Sequence, residues 1–282
     1  MIKKILKLLT IGWIRAVKPL YFKLFPHRVE CNICGWHDNS LMSDQWHPNV
    51  ICPGCGSKVR QRLFWAAVTY LPPLDITSVL KNKRVLFFAP DRCLTERISQ
   101  VAQQYKTADF LAEGYSYRHI DFNLDISDMK TVDDNAFDCV MAFDVLEHVP
   151  NYLQAIEETN RVLSPGGYCV FTVPQKDGLE ETYEDHSITD RQERERIFGQ
   201  WDHLRIFGND LKDRLAERGF DVTLVSQENF DEDLVHKHVL HPPVLSDHPL
   251  ATNHRLVYFG RKVTSVKPKQ PMSANEQKLA ES

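Results

Sequence analysis

The sequence has no run of about 20 uncharged apolar residues, which a membrane-spanning helix requires. It also lacks an excess of positive charge, because 34 lysine and arginine residues stand against 38 aspartate and glutamate residues, for a formal net charge of −4. Proteins that work mainly on a nucleic-acid backbone are usually more basic, so the composition counts against a nucleic-acid partner. No internal repeat is found. A length of 282 residues predicts one full α/β domain with a small appended unit.

The cysteines lack the distribution of a disulfide-built secreted fold. Of the seven, four form two tight pairs, Cys31 with Cys34 and Cys52 with Cys55. The other three are scattered through segments that read as core. A chain with so much apolar core rarely depends on disulfides, so we expect a reducing, cytoplasmic compartment.

The two C-x2-C pairs predict a metal site. Each pair is followed by a glycine, Gly35 or Gly56, and glycine there suits a turn with positive φ. Pro53-Gly54 strengthens the turn signal in the second pair. Four thiolates form the tetrahedral ligand set of a structural Zn²⁺ ion, so we expect a zinc ribbon over residues 29–60. A redox-active cysteine pair and an iron–sulfur site are the alternatives, and neither needs two pairs at this spacing.

The two ends of the chain predict separate units. Residues 1–28 form a basic amphipathic segment, whose lysines and arginines fall broadly on one side of a helix. Such a helix suits an anionic membrane surface, so we expect peripheral contact with the inner face of the cytoplasmic membrane through residues 1–25; the alternative is packing on the protein's own body. Residues 263–282 are polar and aperiodic, which predicts a disordered tail.

The long region between them, residues 61–262, alternates strand-like and helix-like patterns. The strand candidates are Arg84–Ala89, Tyr105–Phe110, Arg118–Leu124, Phe137–Phe143, Tyr168–Val173, Phe220–Leu224 and Arg255–Phe259. The helix candidates are Leu94–Gln104, Tyr152–Leu163, Ile188–Phe198 and Leu211–Arg218. Strands that alternate with helices predict an α/β fold with a doubly wound, mostly parallel sheet.

The segment Phe137–Pro174 contains F-D-x-V, then V-L-E-H-V-P, then R-V-L-x-P-G-G before an apolar strand that ends in V-P. It resembles the central part of class I S-adenosylmethionine-dependent methyltransferases of the type 11 kind, and the likeness extends more weakly over residues 84–225. Together with the cysteine pairs and Phe198–Gly208, it looks like a zinc-ribbon subgroup often associated with cell-surface polysaccharide synthesis. The resemblance implies a Rossmann-like methyltransferase sheet with S-adenosylmethionine as cofactor.

The ligand of a doubly wound sheet binds beyond the carboxyl ends of the strands. An acid after the second strand, Asp109, is placed to accept hydrogen bonds from both ribose hydroxyls of the cofactor. By the resemblance, Asp125 accepts from the adenine amino group and Ile126 lines the ring. The expected cofactor-binding residues are Ala89, Pro90, Asp91, Asp109, Asp125, Ile126, Phe143 and Asp144. The alternative for each aspartate is a solvated turn or a helix cap.

The first loop departs from the family, because Ala89, Pro90 and Asp91 stand where a G-x-G motif is usual. Glycine normally lets the backbone approach the cofactor closely. S-adenosylmethionine has no phosphates to bind, so the demands on this loop are milder than in a nucleotide site. The departure is the feature that supports a non-catalytic protein, a degenerate methyltransferase that acts as a binding module.

Methyl transfer to an alcohol benefits from a general base. We expect His203 to be that base, with Asp202 as its orienting partner, because histidine titrates near neutral pH. The alternative is that His203 ties down the loop Phe198–Gly208. Glu147 and His148 are expected to have a structural role near the site. A histidine group at residues 236–254 predicts either a second metal site or a polar loop that covers the acceptor.

The favoured function is O-methylation of a sugar, a glycan or a related small-molecule intermediate near the cytoplasmic membrane face. An RNA methyltransferase with a zinc module is the first alternative, and Lys58, Arg60 and Arg62 would then contact RNA. The non-catalytic binding module is the second alternative.

Overall fold

The computed structural model describes residues 28–111 and 120–263. The predicted basic helix, with its membrane contact through residues 1–25, and the predicted tail lie outside the described residues, apart from residues 28 and 263. Within the part of the chain that is described, no helix has both the length and the apolar character needed to cross a bilayer.

The described chain contains eleven strands. In chain order they are β1 (Val29–Glu30), β2 (His37–Asp38), β3 (Arg84–Phe88), β4 (Gln104–Asp109), β5 (Phe122–Asn123), β6 (Phe137–Phe143), β7 (Leu163–Thr172), β8 (Tyr183–Glu184), β9 (Arg205–Ile206), β10 (Phe220–Val225) and β11 (Val257–Lys262). Seven of them form the central sheet in the order β10-β11-β7-β6-β3-β4-β5. Because β11 alone is antiparallel to both of its neighbours, the other six strands run in one direction. The expected doubly wound, mostly parallel sheet is confirmed.

Seven α-helices accompany the strands in the described residues. They are α1 (Val59–Tyr70), α2 (Ile76–Val79), α3 (Arg92–Val101), α4 (Tyr152–Val162), α5 (Arg191–Phe198), α6 (Leu211–Glu217) and α7 (Glu232–His238). The expected helix at 94–104 ends three residues early, because Gln104 is the first residue of β4. The expected helix at 188–198 begins late, at Arg191, where the Asp190 side chain caps it by accepting from the Glu193 amide.

Alternate residues of the central strands pack into two apolar cores. In β6, Met141 and Phe143 join the core under α1 and α3, whereas Val140 and Ala142 join the core under α4 and α6. All four side chains are buried. A strand covered on both faces is apolar at nearly every position, which explains the apolar pattern that predicted a strand at Phe137–Phe143.

The junction between α4 and β7 depends on a close backbone approach. The helix ends at Val162, where Ser164-Pro165-Gly166-Gly167 predicted its end, and the strand begins at the next residue. A Cβ atom at Gly167 would lie 2.8 Å from the carbonyl oxygen of Asp138. Glycine therefore lets β7 lie directly against β6.

The third expected strand, Arg118–Leu124, is reduced to Phe122–Asn123 within the described residues.

The cysteine-containing N-terminal module packs directly on the sheet domain. Cys31, Ile33 and Cys52 share one apolar core with Leu63 and Phe64 of α1. The helix α1 begins four residues after Cys55 and crosses the expected boundary at residue 60. The module therefore shares its core with the domain that follows.

A buried arginine stabilises the packing of the N-terminal module on the sheet domain. Arg62 of α1 has no exposed surface, and its guanidinium donates to the carbonyl oxygens of Val50, Ser57, His238 and Val239 at 2.7–3.3 Å. The first two carbonyls belong to the module and its exit, and the other two to the end of α7. One side chain thus holds together the module, the first helix and the insertion between β10 and β11.

Candidate active site

Four aspartates follow four parallel strands at the carboxyl edge of the sheet. Asp91 follows β3, Asp109 ends β4, Asp125 follows β5 and Asp144 follows β6. The structure therefore brings the acidic residues singled out in the sequence to one edge. Their hydrogen bonds differ, and those differences show which oxygens are available to a ligand.

Asp109 has one occupied and one unoccupied carboxylate oxygen. Its Oδ1 accepts from the amide of Phe110 at 2.8 Å, whereas its buried Oδ2 has no hydrogen-bond partner among the described residues. Burial raises the pKa of Asp109, and the bond from Phe110 only partly opposes this shift. A buried acceptor without a donor costs about 1–3 kcal/mol, so Oδ2 is suited to a ligand hydroxyl.

Asp125 and Ile126 lie beside it. The Asp125 Oδ1 accepts from both the amide and the hydroxyl of Ser127 at 2.7 Å, so half of this carboxylate shapes its own turn. Ile126 is buried in the core under α4. Phe143 is buried as well, but on the opposite core, between the rings of Phe64 and Phe87. Its side chain packs into the core below the edge.

The glycine-poor first loop keeps a glycine-like backbone. Ala89 has a φ of 44° and donates its amide to the carbonyl oxygen of Ala108 at 2.9 Å. This left-handed conformation costs an ordinary residue about 1–2 kcal/mol, and glycine adopts it freely. Pro90 then leads into Asp91, which precedes α3. The departure from G-x-G therefore changes the residues and retains the turn.

Arg60 connects the carboxyl ends of β3 and β6. Its guanidinium lies 3.2 Å from Asp144 and 3.8 Å from Asp91. Asp144 also accepts from Thr172 at 2.8 Å and from Arg255 at 2.5 Å. Burial alone would raise the pKa of Asp144, but the two guanidinium groups outweigh it and hold this pKa well below its usual range. Asp144 is therefore an ionised anchor for both arginines.

Two further buried polar atoms at this edge have no partner among the described residues, the Arg60 Nε and the Asp91 Oδ2. Burial raises the pKa of Asp91, and Arg60 only partly opposes it. One atom is a donor and the other an acceptor. Together with Asp109 Oδ2, these two atoms make one unpaired donor and two unpaired acceptors; Glu147 Oε2 at the same edge is a third unpaired acceptor.

A cavity of about 370 Å³ opens beside Asp144. The N-terminal module, the loop after α5 and the insertion before β11 form its walls. Its polar lining includes Asp44, His47, Lys58, Arg60, Asp144, Gln200, His203 and Arg255. His47 is buried there, with Nε2 2.8 Å from the amide oxygen of Asn253. The volume suits a small molecule.

A cluster of Glu147, His148 and His203 lies at the same edge, which we call the Glu-His-His cluster. One ligand-type atom of each residue lies within 4.8 Å of those of the other two. The Nε2 atoms of both histidines are 3.9 Å from Glu147 Oε1. Burial raises the pKa of Glu147 to about 8, and Asp144 adds to the shift.

The expected pairing of Asp202 with His203 is corrected by the structure. Asp202 Oδ2 lies 3.3 Å from Nδ1 of His148, and the Nδ1 of His203 lies 2.9 Å from the carbonyl oxygen of Phe198. His203 therefore ties down its loop, which was the alternative reading. Burial and the neighbouring His148 both lower the pKa of His203. Because a carbonyl only accepts, Nδ1 carries the proton and the lone pair of neutral His203 is on Nε2.

A second buried arginine positions this cluster. Arg205 donates to the carbonyl oxygens of Leu146, Val149 and Pro150 at 2.6–3.0 Å, and to Glu184 at 2.8 Å. Its guanidinium also lies 4.7 Å from the centre of the Tyr152 ring. These bonds fix the loop that carries Glu147 and His148.

The four paired cysteines form a separate cluster in the N-terminal module. The Sγ atoms of Cys31 and Cys55, and those of Cys34 and Cys52, are 3.7 Å apart. A tetrahedron with metal–sulfur bonds of about 2.3 Å places its sulfur atoms about 3.8 Å apart. All seven cysteines lie in the described residues and are free thiols.

The turns of the two pairs have the expected backbone. Gly35 and Gly56 have φ values of 72° and 76°, as their positions after the pairs predicted. Each donates its amide to the carbonyl oxygen of the first cysteine of its pair at 2.8 Å. The amide of Gly54 also approaches the Cys52 sulfur at 3.3 Å. The four cysteines are thus presented on two tight turns.

The histidines of residues 236–254 do not form a comparable group. His236 contacts Glu232, His238 contacts the Glu30 carbonyl oxygen, and His241 contacts His254. In residues 28–111 and 120–263, only the cysteine and Glu-His-His clusters have a metal-binding arrangement of three or more ligands. The sequence analysis missed Glu147 and His148 as partners of His203, and it considered Arg60 only as an RNA contact under the RNA alternative. The adjacent Glu-His pair directly after a strand end was the available signal.

Comparison with known families identifies the chain. Residues 54–225 match the family model described as "Methyltransferase domain". No curated protein matches significantly. Solved structures with partial similarity include the 1,6-didemethyltoxoflavin-N1-methyltransferase of Burkholderia thailandensis, at 18% identity over 71% of this chain and 78% of the other, with a TM-score of 0.45. Another is an S-adenosylmethionine-dependent methyltransferase of Mesorhizobium loti, at 15% identity over 71% and 98%, with a TM-score of 0.46.

The family match covers more than half of the chain, so the chain belongs to this methyltransferase family. It is an enzyme that uses S-adenosylmethionine as methyl donor, as the resemblance of Phe137–Pro174 implied. The identification rests on the family model, since the similarity to the two solved structures is too low to add to it.

Proposed function

We propose that this S-adenosylmethionine-dependent methyltransferase methylates a hydroxyl group of a sugar, a glycan or a related small-molecule intermediate. The observation that carries the proposal is the polar cavity beside Asp144. Its wall combines cationic donors, amides, imidazoles and carboxylates, which suits an acceptor with several hydroxyl groups that both donate and accept. Its size suits one small unit of such an acceptor.

The unpaired polar atoms at the carboxyl edge match the polar groups of S-adenosylmethionine. Asp109 Oδ2 suits the ribose hydroxyls, which donate. Asp91 Oδ2 suits the ammonium of the methionyl end, and Arg60 Nε suits its carboxylate. Asp125 and Ile126 remain the residues proposed for the adenine. When bound, the cofactor supplies an electrophilic methyl group; the role of these side chains is to hold and orient it.

We assign to the Glu-His-His cluster, as a unit, the role of promoting loss of the acceptor's proton. His203 alone, with Asp202 behind it, does not fit, because Asp202 faces His148. His203 lines the cavity, and the lone pair on its Nε2 is available for a proton or another electrophile.

The RNA alternative loses two of its three proposed contacts, Arg60 and Arg62. Arg62 is fully buried and its donors bind backbone carbonyl groups. Arg60 is paired with two aspartates. The non-catalytic alternative rested on Ala89, and that residue adopts the conformation a glycine would provide. Both observations favour a small-molecule methyltransferase.

Calorimetric titration with S-adenosylmethionine and S-adenosylhomocysteine tests the cofactor site. We expect Asp109→Ala to weaken binding about 10- to 100-fold, because a buried charge-assisted hydrogen bond contributes about 1.5–3 kcal/mol. The control is Asp128→Ala, since Asp128 is half exposed and pairs only with the exposed Lys130. A binder would then be screened for transfer of labelled methyl groups to sugars and glycans. Transfer to RNA and to no sugar would overturn the proposal.

We also propose that the four paired cysteines hold a structural Zn²⁺ ion, as a zinc ribbon. The sulfur spacing and the two glycine turns support this ligand set. Elemental analysis should give one zinc per chain, and Cys34→Ser should lose it while Cys93→Ser keeps it. Iron, or no metal in freshly purified protein, would favour the iron–sulfur or redox alternatives.

The expected location in the cytoplasm, at the inner face of the membrane, belongs to the same proposal, as does a role in polysaccharide biosynthesis. It rests on the basic residues among the first 25, which suit anionic lipids. Replacement of Lys3, Lys4 and Lys7 by glutamate should move the full chain from the membrane fraction to the soluble fraction. An unchanged distribution would contradict the membrane contact.

A further inference from the structure

The Glu-His-His cluster combines one buried carboxylate with two imidazoles. Glu147 is 1% exposed, and its Oε2 is a buried oxygen without a hydrogen-bond partner among the described residues. Two imidazole nitrogens, Nε2 of His148 and Nε2 of His203, each lie 3.9 Å from its Oε1. That distance is too long for a hydrogen bond. The three groups thus face one another without bonding one another.

The outer side of each imidazole is fixed. The Nδ1 of His148 lies 3.3 Å from the Asp202 carboxylate, and the Nδ1 of His203 lies 2.9 Å from the Phe198 carbonyl oxygen. Each acceptor holds the proton on Nδ1 and leaves the lone pair on Nε2, the atom that lies 3.9 Å from Glu147 Oε1. Histidines that bind metals almost always have such a partner on the other ring nitrogen, either a carboxylate or a backbone carbonyl.

The spacing of the three inner atoms is close to that of a ligand set. Around an ion with bonds of about 2.1 Å, neighbouring ligand atoms lie about 3.0–3.6 Å apart. The two separations from Glu147 Oε1, each 3.9 Å, are therefore a few tenths of an ångström longer, and one ligand-type atom of each residue lies within 4.8 Å of the other two.

We propose that Glu147, His148 and His203 bind a divalent transition-metal cation at the edge of the acceptor cavity. Two imidazoles and one carboxylate suit Mn²⁺, Fe²⁺, Co²⁺ or Zn²⁺. Three protein ligands leave coordination positions open, as in catalytic sites, whereas the cysteine cluster with four ligands is closed. His203 lines the cavity, so a ligand in the cavity could reach the open positions.

The chemical role of this ion rests on the proposed function. An acceptor hydroxyl bound to the cation loses its proton to water at neutral pH, because the cation stabilises the alkoxide. The alkoxide oxygen then forms a bond to the methyl carbon, the carbon–sulfur bond breaks, and its electron pair stays on sulfur. The products are the methyl ether and S-adenosylhomocysteine. A neighbouring hydroxyl can take a second open position, so we expect acceptors with two adjacent hydroxyl groups.

Mn²⁺ is the probe for the test, because it prefers oxygen and imidazole ligands to thiolates. The full chain is loaded with one equivalent of Zn²⁺ and titrated with Mn²⁺, with bound metal measured by electron paramagnetic resonance. We expect one Mn²⁺ per chain. Glu147→Gln and His148→Asn should each weaken binding at least 10-fold, and His236→Gln, an exposed histidine outside the cluster, should bind as the unmodified chain does.

Circular dichroism and zinc content decide whether the variants are folded. His148 is the second target because its side chain is one-third exposed, so its replacement disturbs the core least. The proposal is overturned if the folded wild-type chain binds neither Mn²⁺ nor, in its place, Co²⁺ or a second equivalent of Zn²⁺. Binding that Glu147→Gln and His148→Asn leave unchanged would also overturn it.

The two proposals fail separately. Metal binding lost in the variants, without methyl transfer to any hydroxyl acceptor, would support the site and overturn the proposed function. Methyl transfer to a sugar by metal-free protein, with no gain on addition of Mn²⁺, would support the function and overturn the metal's role.

Discussion

The cysteine cluster and the Glu-His-His cluster differ in how the chain assembles them. The cysteines come from two short turns within residues 31–55, and each turn is shaped by its own glycine. The second cluster joins residues 147 and 148, which follow β6, to residue 203, more than fifty residues later. The first is built by local geometry, and the second exists only when the sheet and its loops are complete.

Each cluster depends on a buried arginine. Arg62 donates to carbonyl groups on both sides of the second cysteine pair, and Arg205 donates to three carbonyl groups around Glu147 and His148. The planar guanidinium with five donors satisfies several acceptors at once. The two arginines differ in the ligand set that they hold. Arg62 holds a closed set that supports the core, and Arg205 holds an open set beside a cavity. On our two metal-binding proposals, the local cluster serves the fold and the distant one serves the chemistry.

The largest effect is expected from loss of a cysteine ligand. Cys52→Ser should lower the free energy of unfolding by at least about 3 kcal/mol, because metal-binding energy is folding energy in such a module and Cys52 is completely buried. Denaturant unfolding with zinc analysis measures it. Cys93→Ser, outside the cluster, is the control. A zinc-free Cys52→Ser protein of unchanged stability would break the assignment of this cluster to the fold.

The next effect is expected at Arg62. Arg62→Lys should cost about 3 kcal/mol, since lysine cannot reach four carbonyl groups and leaves buried acceptors unpaired. Arg97→Lys, at an exposed position of α3, is the matched control. Thermal unfolding gives the difference. Equal melting temperatures for the two variants would show that Arg62 does not fasten the module.

Arg205→Lys should have a smaller effect on stability and an added effect on the open cluster. We expect a cost of about 2 kcal/mol, because Pro150 and Glu184 can regain water. We also expect Mn²⁺ binding to weaken about 10-fold, as the loop of Glu147 and His148 loosens. Unfolding curves measure the effect on stability, and Mn²⁺ titration measures the effect on the cluster. Weakened stability with unchanged Mn²⁺ binding would contradict the positioning role.

The smallest effect is expected at Asp202. Asp202→Asn should weaken Mn²⁺ binding about 10-fold and leave the unfolding free energy within about 0.5 kcal/mol, because the carboxylate acts through His148. Asp185→Asn in the neighbouring loop, whose carboxylate only caps a turn at Ser187, is the control. Unchanged binding in Asp202→Asn would mean that Asp202 does not orient His148.

The same contrast explains what the sequence could reveal. The cysteine pairs, their glycine turns and the alternation of β3 to β7 follow from local spacing and apolar pattern, and the structure contains them. Asp91, Asp109 and Asp144 were found because every parallel strand end lies at one edge. The predicted bounds of α3 and α5 were wrong by two or three residues, because capping and strand pairing decide where a helix begins and ends.

The other contacts of the site could be identified only from the folded chain. Asp202 is adjacent to His203 in sequence, yet it faces His148, since the loop turns between the two side chains. Arg60 and Arg62 are two residues apart on α1 and therefore lie on different faces, one at the strand ends and one in the core. No spacing rule separates an arginine that binds acids from one that binds carbonyl groups.

Selective metal removal tests the division between the two clusters most directly. The full chain, loaded with Zn²⁺ and Mn²⁺, is dialysed against a mild chelator, then measured by elemental analysis, circular dichroism and thermal unfolding. We expect all of the Mn²⁺ to leave and one Zn²⁺ per chain to remain, with unchanged helix content and melting temperature. Loss of zinc before manganese, or unfolding that accompanies loss of manganese alone, would contradict a closed cluster for the fold and an open one for the chemistry.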